Sequence, residues 1–202
     1  MSALPTTMSF GPLTIEHDES VLRPRPWTTL QSAWAAELLS DLPPGPVLEL
    51  CTGAGHIGLL AAHLSGRHLV AVDLSPSACD LAQRNSRRAK LEHLVEVRNS
   101  DLSQACRPDE TFVLVIADPP WVRSDRTGDF PEDPLLAIDG GPAGLDVAHR
   151  CLDVAAAHLA AGGQVLLQLG GDEQVEPLVT SRWREVARRR GERGLVVQLE
   201  LA

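Results

Sequence analysis

Tyrosine is absent from this chain, and only three phenylalanines and four tryptophans accompany its 202 residues. Aliphatic side chains must therefore fill the core, and at 44% hydrophobic composition there are enough of them for one domain. Lysine occurs once against seventeen arginines. The four cysteines, Cys51, Cys79, Cys106 and Cys151, form no C-x-x-C pair and have no companion histidine spacing. That excludes a disulfide frame or a zinc site and reads as reduced thiols; the seven histidines show no metal spacing either. No apolar run approaches membrane-spanning length, and "MSALPTTMSF" has neither a basic n-region nor an apolar h-region. A cytoplasmic protein without membrane contact is the expectation. Positive charge is in deficit, with a net charge of −9, and such a surface repels phosphate backbones, which argues against nucleic acid as the main partner. The one basic cluster, "RWREVARRRGER" (182–193), reads as a solvated edge strand and turn.

What is present is an alternation. Apolar strand-like runs at 46–51, 68–73, 94–99, 112–117 and 164–170 are separated by segments with helical spacing, the pattern of a mostly parallel α/β sheet with helices on both faces. Ser75 followed by Pro76 is a helix start. Helices are also expected in "HIGLLAAHLS" and in "VAHRCLDVAAAHLA", the latter ended by Gly162-Gly163. A weaker helix near 172–180 and two strands, near 183–188 and in "GLVVQLEL", complete a seven-stranded, Rossmann-like sheet. Residues 46–202 form that domain. Residues 1–45 read as an irregular, proline-rich extension with one helix at 28–42, contributing to the active-site wall; deleting 1–27 is expected to leave the sheet folded.

Open α/β sheets bind ligands at the carboxyl ends of their strands, near the reversal of strand order. There this chain places Glu49, Thr52, Gly53 and Gly55 after the first run, Asp73 and Leu74 after the second, Asp101 and Leu102 after the third, and "DPPW" after the fourth. "GAGHIG" fits G-x-G-x-x-G, with Asp73 twenty residues beyond Gly53 where a ribose-binding acid belongs. The motif fits NAD as well as S-adenosylmethionine. Glu49 is a poor neighbour for a pyrophosphate and a good one for a sulfonium or an amino group. Asp101 could hold an adenine's exocyclic amine, or could be a helix cap. S-adenosylmethionine is the expected cofactor, with no metal. His56, within the glycine loop, reads as incidental.

"LVIADPPWV" (114–122) ends a strand in a carboxylate followed by two prolines. Proline lacks an N–H and keeps the residue before it extended. Asp118 is thus held beside carbonyls with few competing donors, a place for a nitrogen that donates. Methyl transfer to nitrogen is an in-line displacement, and Asp118 with the Pro119 carbonyl could accept both N–H bonds of an NH₂ group and aim its lone pair. An ionised aspartate accepts only, whereas asparagine also donates. Pro120 continues the turn, and Trp121 could stack on a planar acceptor or contribute a cation–π interaction.

In order and spacing, "ELCTGAG", "VDLSPSA", "RNSDL", "VIADPPW" and "AIDGGPAGLDV" resemble class I methyltransferases of the HemK/PrmC group, and "VLRPRPWTTL" (21–30) resembles that group's "PRP-x-T" loop. The resemblance implies N-methylation of a glutamine side-chain amide in a protein, with Arg25, Trp27 and Thr28 near the substrate. It departs in three ways. Asp118 and Trp121 stand where the group has asparagine and tyrosine, Trp27 and Thr29 replace acids, and the helical substrate domain of bacterial members is absent. Some short members rely on a small partner subunit. A small-molecule acceptor, an exocyclic amine of a nucleic-acid base, and a cofactor-binding protein without catalysis remain the alternatives.

Overall fold

In the computed structural model, residues 6–202 are described; residues 1–5, the start of the expected extension, lie outside the described residues. The segment expected to be irregular opens with a β-hairpin. Strands β1 (Thr6–Phe10) and β2 (Leu13–His17) pair antiparallel across a Gly11-Pro12 turn in which Gly11 takes φ 56°. Phe10, Leu13 and Ile15 point inward and are buried. Helix α1 (Thr29–Asp41) follows a short 3-10 turn, Pro26–Thr28.

The main sheet then assembles as read. Its strands are β3 (Val47–Leu50), β4 (Leu69–Asp73), β5 (Val95–Asn99), β6 (Phe112–Ala117), β7 (Leu159–Leu169), β8 (Trp183–Arg190) and β9 (Leu195–Leu201). They lie in the order β5-β4-β3-β6-β7-β9-β8, parallel from β5 to β7, with β9 antiparallel to both of its neighbours. The order reverses between β3 and β6, which puts the chain's glycine loop and its D-P-P-W loop side by side. Helix α2 (His56–Ser65) ends at Gly66 with φ 67°, and α3 (Pro76–Arg88) starts at the Ser75 cap, whose hydroxyl accepts from the Ala78 N–H at 3.3 Å. A single helical turn, α4 (Leu135–Ile138), and then α5 (Asp146–His158) complete the helices.

Strand β6 shows why its run is continuous rather than alternating. Leu114 and Ile116 pack with the hairpin, α1, α2 and α3 on one face, while Val115 and Ala117 pack with α5 on the other. Two expectations are corrected at the C-terminal half. Helix α5 stops at His158, and Gly162-Gly163 lie inside β7, where the register with β6 jumps from Phe112↔Leu159 to Leu114↔Gln164. Gly162, with φ 73°, turns the chain within that bulge. The segment 172–180 is no helix but two 3-10 turns, Asp172–Gln174 and Glu176–Leu178, because Pro177 supplies no N–H to continue one. No described helix is long and apolar enough to cross a membrane.

Candidate active site

Strand β3 ends at Leu50, Cys51 after it takes φ 60°, and the chain then turns through Gly53 (φ 54°) and Gly55 (φ 82°) into α2. Glu49 holds this loop from beneath. Its carboxylate accepts the Gly58 N–H at 2.7 Å and the Thr52 hydroxyl. A Cβ on Gly58 would lie 2.7 Å from the Glu49 carboxyl carbon and 2.8 Å from Leu69, so the helix can approach the strand only with glycine there. Gly55 performs the same service against Ala82 of α3, 3.1 Å from where its Cβ would be. Glu49 is fully buried, and burial together with the charges of Asp118 and Asp73 pushes its carboxyl up to about 7. Neither Glu49 nor Gly55 lines a cavity: both shape the loop.

A cavity of about 190 Å³ opens above the loop, lined by Thr52, Gly53, Asp73, Leu74, Asp101 and Leu102 among others. The Asp73 carboxylate is oriented by the N–H groups of Gly53 (2.8 Å) and Ser75 (2.9 Å), and burial raises its pKa. Each of its oxygens keeps a lone pair for a hydroxyl donor. Asp101 is the N-cap of the 3-10 turn Leu102–Gln104, and both its oxygens accept from Arg150 at 2.8 Å; that guanidinium holds its carboxyl well below the usual range. It is therefore a cap and an ion-pair partner that also borders the cavity. Arg150 is the one Lys or Arg among the lining residues, and Asp101 already neutralises it. Three carboxylates and no uncommitted cation make a hostile place for a pyrophosphate and a fitting one for a phosphate-free nucleoside with positive charge.

Asp118, Pro120, His56, Leu22 and Ala137 also face this cavity, and all but Pro120 face a second, larger one of about 480 Å³. Asp118 thus stands on the partition between the two. Its carboxylate accepts no hydrogen bond from any described residue, and burial raises it to about 7. The larger cavity holds Pro119, Trp121, Arg25, Trp27 and Thr28. Arg25 is fixed by a two-oxygen contact with Asp133 at 2.9 Å, and Thr28, 2% exposed, donates its hydroxyl to the Arg25 carbonyl at 2.8 Å.

The D-P-P-W loop is braced from behind by the segment 138–146. The Val122 N–H donates to Ile138 O at 2.9 Å, and the Gly140 N–H returns to Val122 O at 2.8 Å. A Cβ on Gly140 would come within 2.6 Å of Pro120 O, and Gly141 and Gly144 hold φ values of 88° and 72°. "IDGGPAGLD" is thereby explained as a close-packed brace.

Three contributors escaped the sequence reading. Gln174 donates its amide to Trp121 O (3.0 Å) and Gly144 O (3.2 Å) while accepting the Gly170 N–H (2.8 Å), tying loop, brace and β7 together. Gln31 of α1, wholly buried, donates to the carbonyls of Ala117 and Leu166 at 3.0 Å each and so fixes the end of β6 just before Asp118. A glutamine in such a context carries no sequence signal. His56, read as incidental, packs T-shaped with Phe10, ring centroids 4.9 Å apart and planes at 88°, and burial lowers it to about 3, so it faces Asp118's partition as a neutral ring.

Residues 32–131 match the family model described as Methyltransferase small domain. The chain is 34% identical over 203 residues to the release factor glutamine methyltransferase of Deinococcus radiodurans, covering 91% of this chain and 72% of that protein. It is 38% identical over 136 residues to the ribosomal protein uL3 glutamine methyltransferase of Bradyrhizobium diazoefficiens, covering 64% and 42%. It spans about half the length of several curated relatives that it matches. In fold it is similar to a SAM-dependent methyltransferase from Agrobacterium tumefaciens, with a TM-score of 0.64, 17% identity, and coverage of 98% of this chain and 71% of that one. With a glycine loop, the Asp73 carboxylate and a D-P-P-W loop set at one reversal of strand order, the chain belongs to the HemK/PrmC-like family of glutamine methyltransferases, within the class I methyltransferases.

Proposed function

We propose that this protein is an S-adenosylmethionine-dependent N-methyltransferase whose acceptor is a glutamine side-chain amide in a protein. The observation that carries this is Asp118, a carboxylate without a donor on the partition between two cavities, one of them acidic and suited to a cationic nucleoside. S-adenosylmethionine, the cofactor this family implies, supplies an electrophilic methyl group when bound. Asp73 takes the ribose hydroxyls, and Leu74 and Leu102 offer apolar faces to the base. Asp118 and the Pro119 carbonyl accept the two amide N–H bonds and turn the nitrogen lone pair toward the partition. Residues 20–28 serve as wall to both cavities in this reading. The acceptor being a protein rests on the relatives named for release factors and uL3, as does the idea of a small partner subunit on the family resemblance.

The test is transfer of labelled methyl into protein, RNA and small-molecule fractions of a cell extract, followed by mapping of the labelled residue. Label on glutamine nitrogen is expected; label confined to RNA or to small molecules defeats the reading. In calorimetry, S-adenosylhomocysteine should bind at micromolar level, roughly −8 kcal/mol. Asp73→Ala should weaken it by about tenfold or more, since a charge-assisted acceptor is lost. An unchanged affinity would remove Asp73 from the cofactor site.

A further inference from the structure

The hairpin formed by β8 and β9 carries six arginines, and five of them are matched to acids. Arg182 pairs with Asp153 (3.5 Å), Arg184 with Glu200, Arg188 with Glu185 and Asp172 (2.6 Å each), Arg189 with Glu37 (2.7 Å), and Arg190 with Asp172. Arg189 additionally lies 4.4 Å over the Trp34 ring. That is the solvated edge strand expected of the sequence, with its charges matched by acids of the hairpin and of neighbouring segments. The sixth behaves otherwise. Arg193, at the turn, has no ion-pair partner among the described residues, nor does Glu192 beside it, and both line the larger cavity.

The turn is built, not loose. The Gly191 N–H donates to Gly194 O at 3.2 Å, and Gly194 sits at φ 68° with no room for a Cβ, which would stand 2.6 Å from Gln168 Nε2. A Cβ on Gly191 would be 3.6 Å from the Trp27 ring, so the turn leans on another wall of the same cavity. Arg23 and Glu132, also exposed and also without an ion-pair partner among the described residues, line that cavity too. Its mouth therefore offers two guanidinium groups and two carboxylates, with Asp118 and Pro119 farther in. A polypeptide segment fits this arrangement, because each of its residues presents a carbonyl and an N–H to a mouth of mixed charge while one side chain enters.

We infer that Arg193 donates to a main-chain carbonyl of the acceptor polypeptide next to the methylated residue, which makes the β8–β9 turn a specificity-determining wall of the acceptor site. This rests on the glutamine-amide reading. The full chain is assayed with two acceptors, an intact bacterial peptide-release factor and butanamide, a glutamine side-chain amide without any main-chain carbonyl. Arg193→Ala should raise KM for the release factor about tenfold, the worth of one charged hydrogen bond, with kcat and cofactor affinity within twofold. The small amide, which has no main chain to grip, should be used equally well by both enzymes, and Arg193→Lys should recover part of the loss. An unchanged KM for the release factor overturns the inference. So does an equal rise for both acceptors, which would place Arg193 at the reacting amide. A wild-type enzyme that methylates neither acceptor defeats the glutamine reading itself, and the inference with it.

Discussion

Asp118→Ala is expected to lower kcat/KM about a hundredfold or more while leaving the affinity for S-adenosylhomocysteine within a few-fold, because positioning and a charged acceptor vanish together. Wild-type turnover in that variant would mean that the carboxylate merely ends a strand. Asp118→Asn separates acceptor chemistries. A neutral amide should still be methylated, since the asparagine oxygen accepts one N–H, whereas an acceptor nitrogen bearing positive charge would lose its ion pair and most of its rate. A pH dependence follows from the same side chain. Burial holds Asp118 at about 7, and its surroundings give no relief: Glu49 and Asp73 are acids, Cys51 is a thiol whose pKa is itself raised, and His56 is kept neutral. The accept-only form therefore grows through neutrality, and kcat/KM should climb with a midpoint at about pH 7, a limb that Asp118→Asn should lose. Stability runs the opposite way. Between the ordinary carboxylate value of 3.8 and about 7, the folded chain holds a proton at Asp118 that the unfolded chain has released. The contribution of Asp118 to the stability of the unliganded protein should thus fall as pH rises across that window, and the difference between wild type and Asp118→Asn in thermal melts at its two ends would check it.

Phe10→Ala should cost about 3–5 kcal/mol of unfolding free energy, measured by urea titration as a lower midpoint at an unchanged slope. Phe10 is 1% exposed, packs in the cluster that holds Ile57, Leu60 and Leu81, and makes a T-shaped contact with the His56 ring. A loss under 1 kcal/mol would mean that the hairpin is only draped over the domain. Removing residues 1–27 takes Phe10, Leu13, Ile15 and Val21 out of that core together and frees Asp133 from Arg25. The expectation that the sheet would survive such a truncation therefore does not stand, and an inactive truncated protein would report on folding before it reported on the wall.

The parallel strands were readable because each is an apolar run bounded by turn chemistry, and β6 with its buried faces is the clearest case. The site residues were readable to the extent that strand ends collect ligands: Asp73, Asp118 and the glycine loop all project there. The first hairpin was legible in principle, since Gly11-Pro12 joins two five-residue strands. Its alternation is obscured by Glu16 and His17, both buried; Glu16 is held there by α3, where Asn85 accepts its N–H and Arg84 and Arg88 donate to its carboxylate. The bulge at Gly162 reads as a helix stop because glycine after a helix-forming run has two uses that only tertiary pairing separates. Gln31 and Gln174 act through carbonyls far off in the chain, and no local pattern records such partners.

The two cavities share four lining residues, Leu22, His56, Asp118 and Ala137. Besides Pro119, Trp121, Val122 and Ile138, whose segments also reach the smaller cavity through Pro120 and Leu136, the rest of the larger lining comes from residues 23–28, 130–133 and 192–193, none of which lines the smaller one. Descendants of this chain could therefore exchange one acceptor for another by rewriting residues 23–28, 130–133 and 191–194 alone, while inheriting donor recognition intact. Laboratory libraries confined to those three segments should search new acceptors at small risk to cofactor affinity, and a shift at Ala137 or His56 is the change that would couple the two traits.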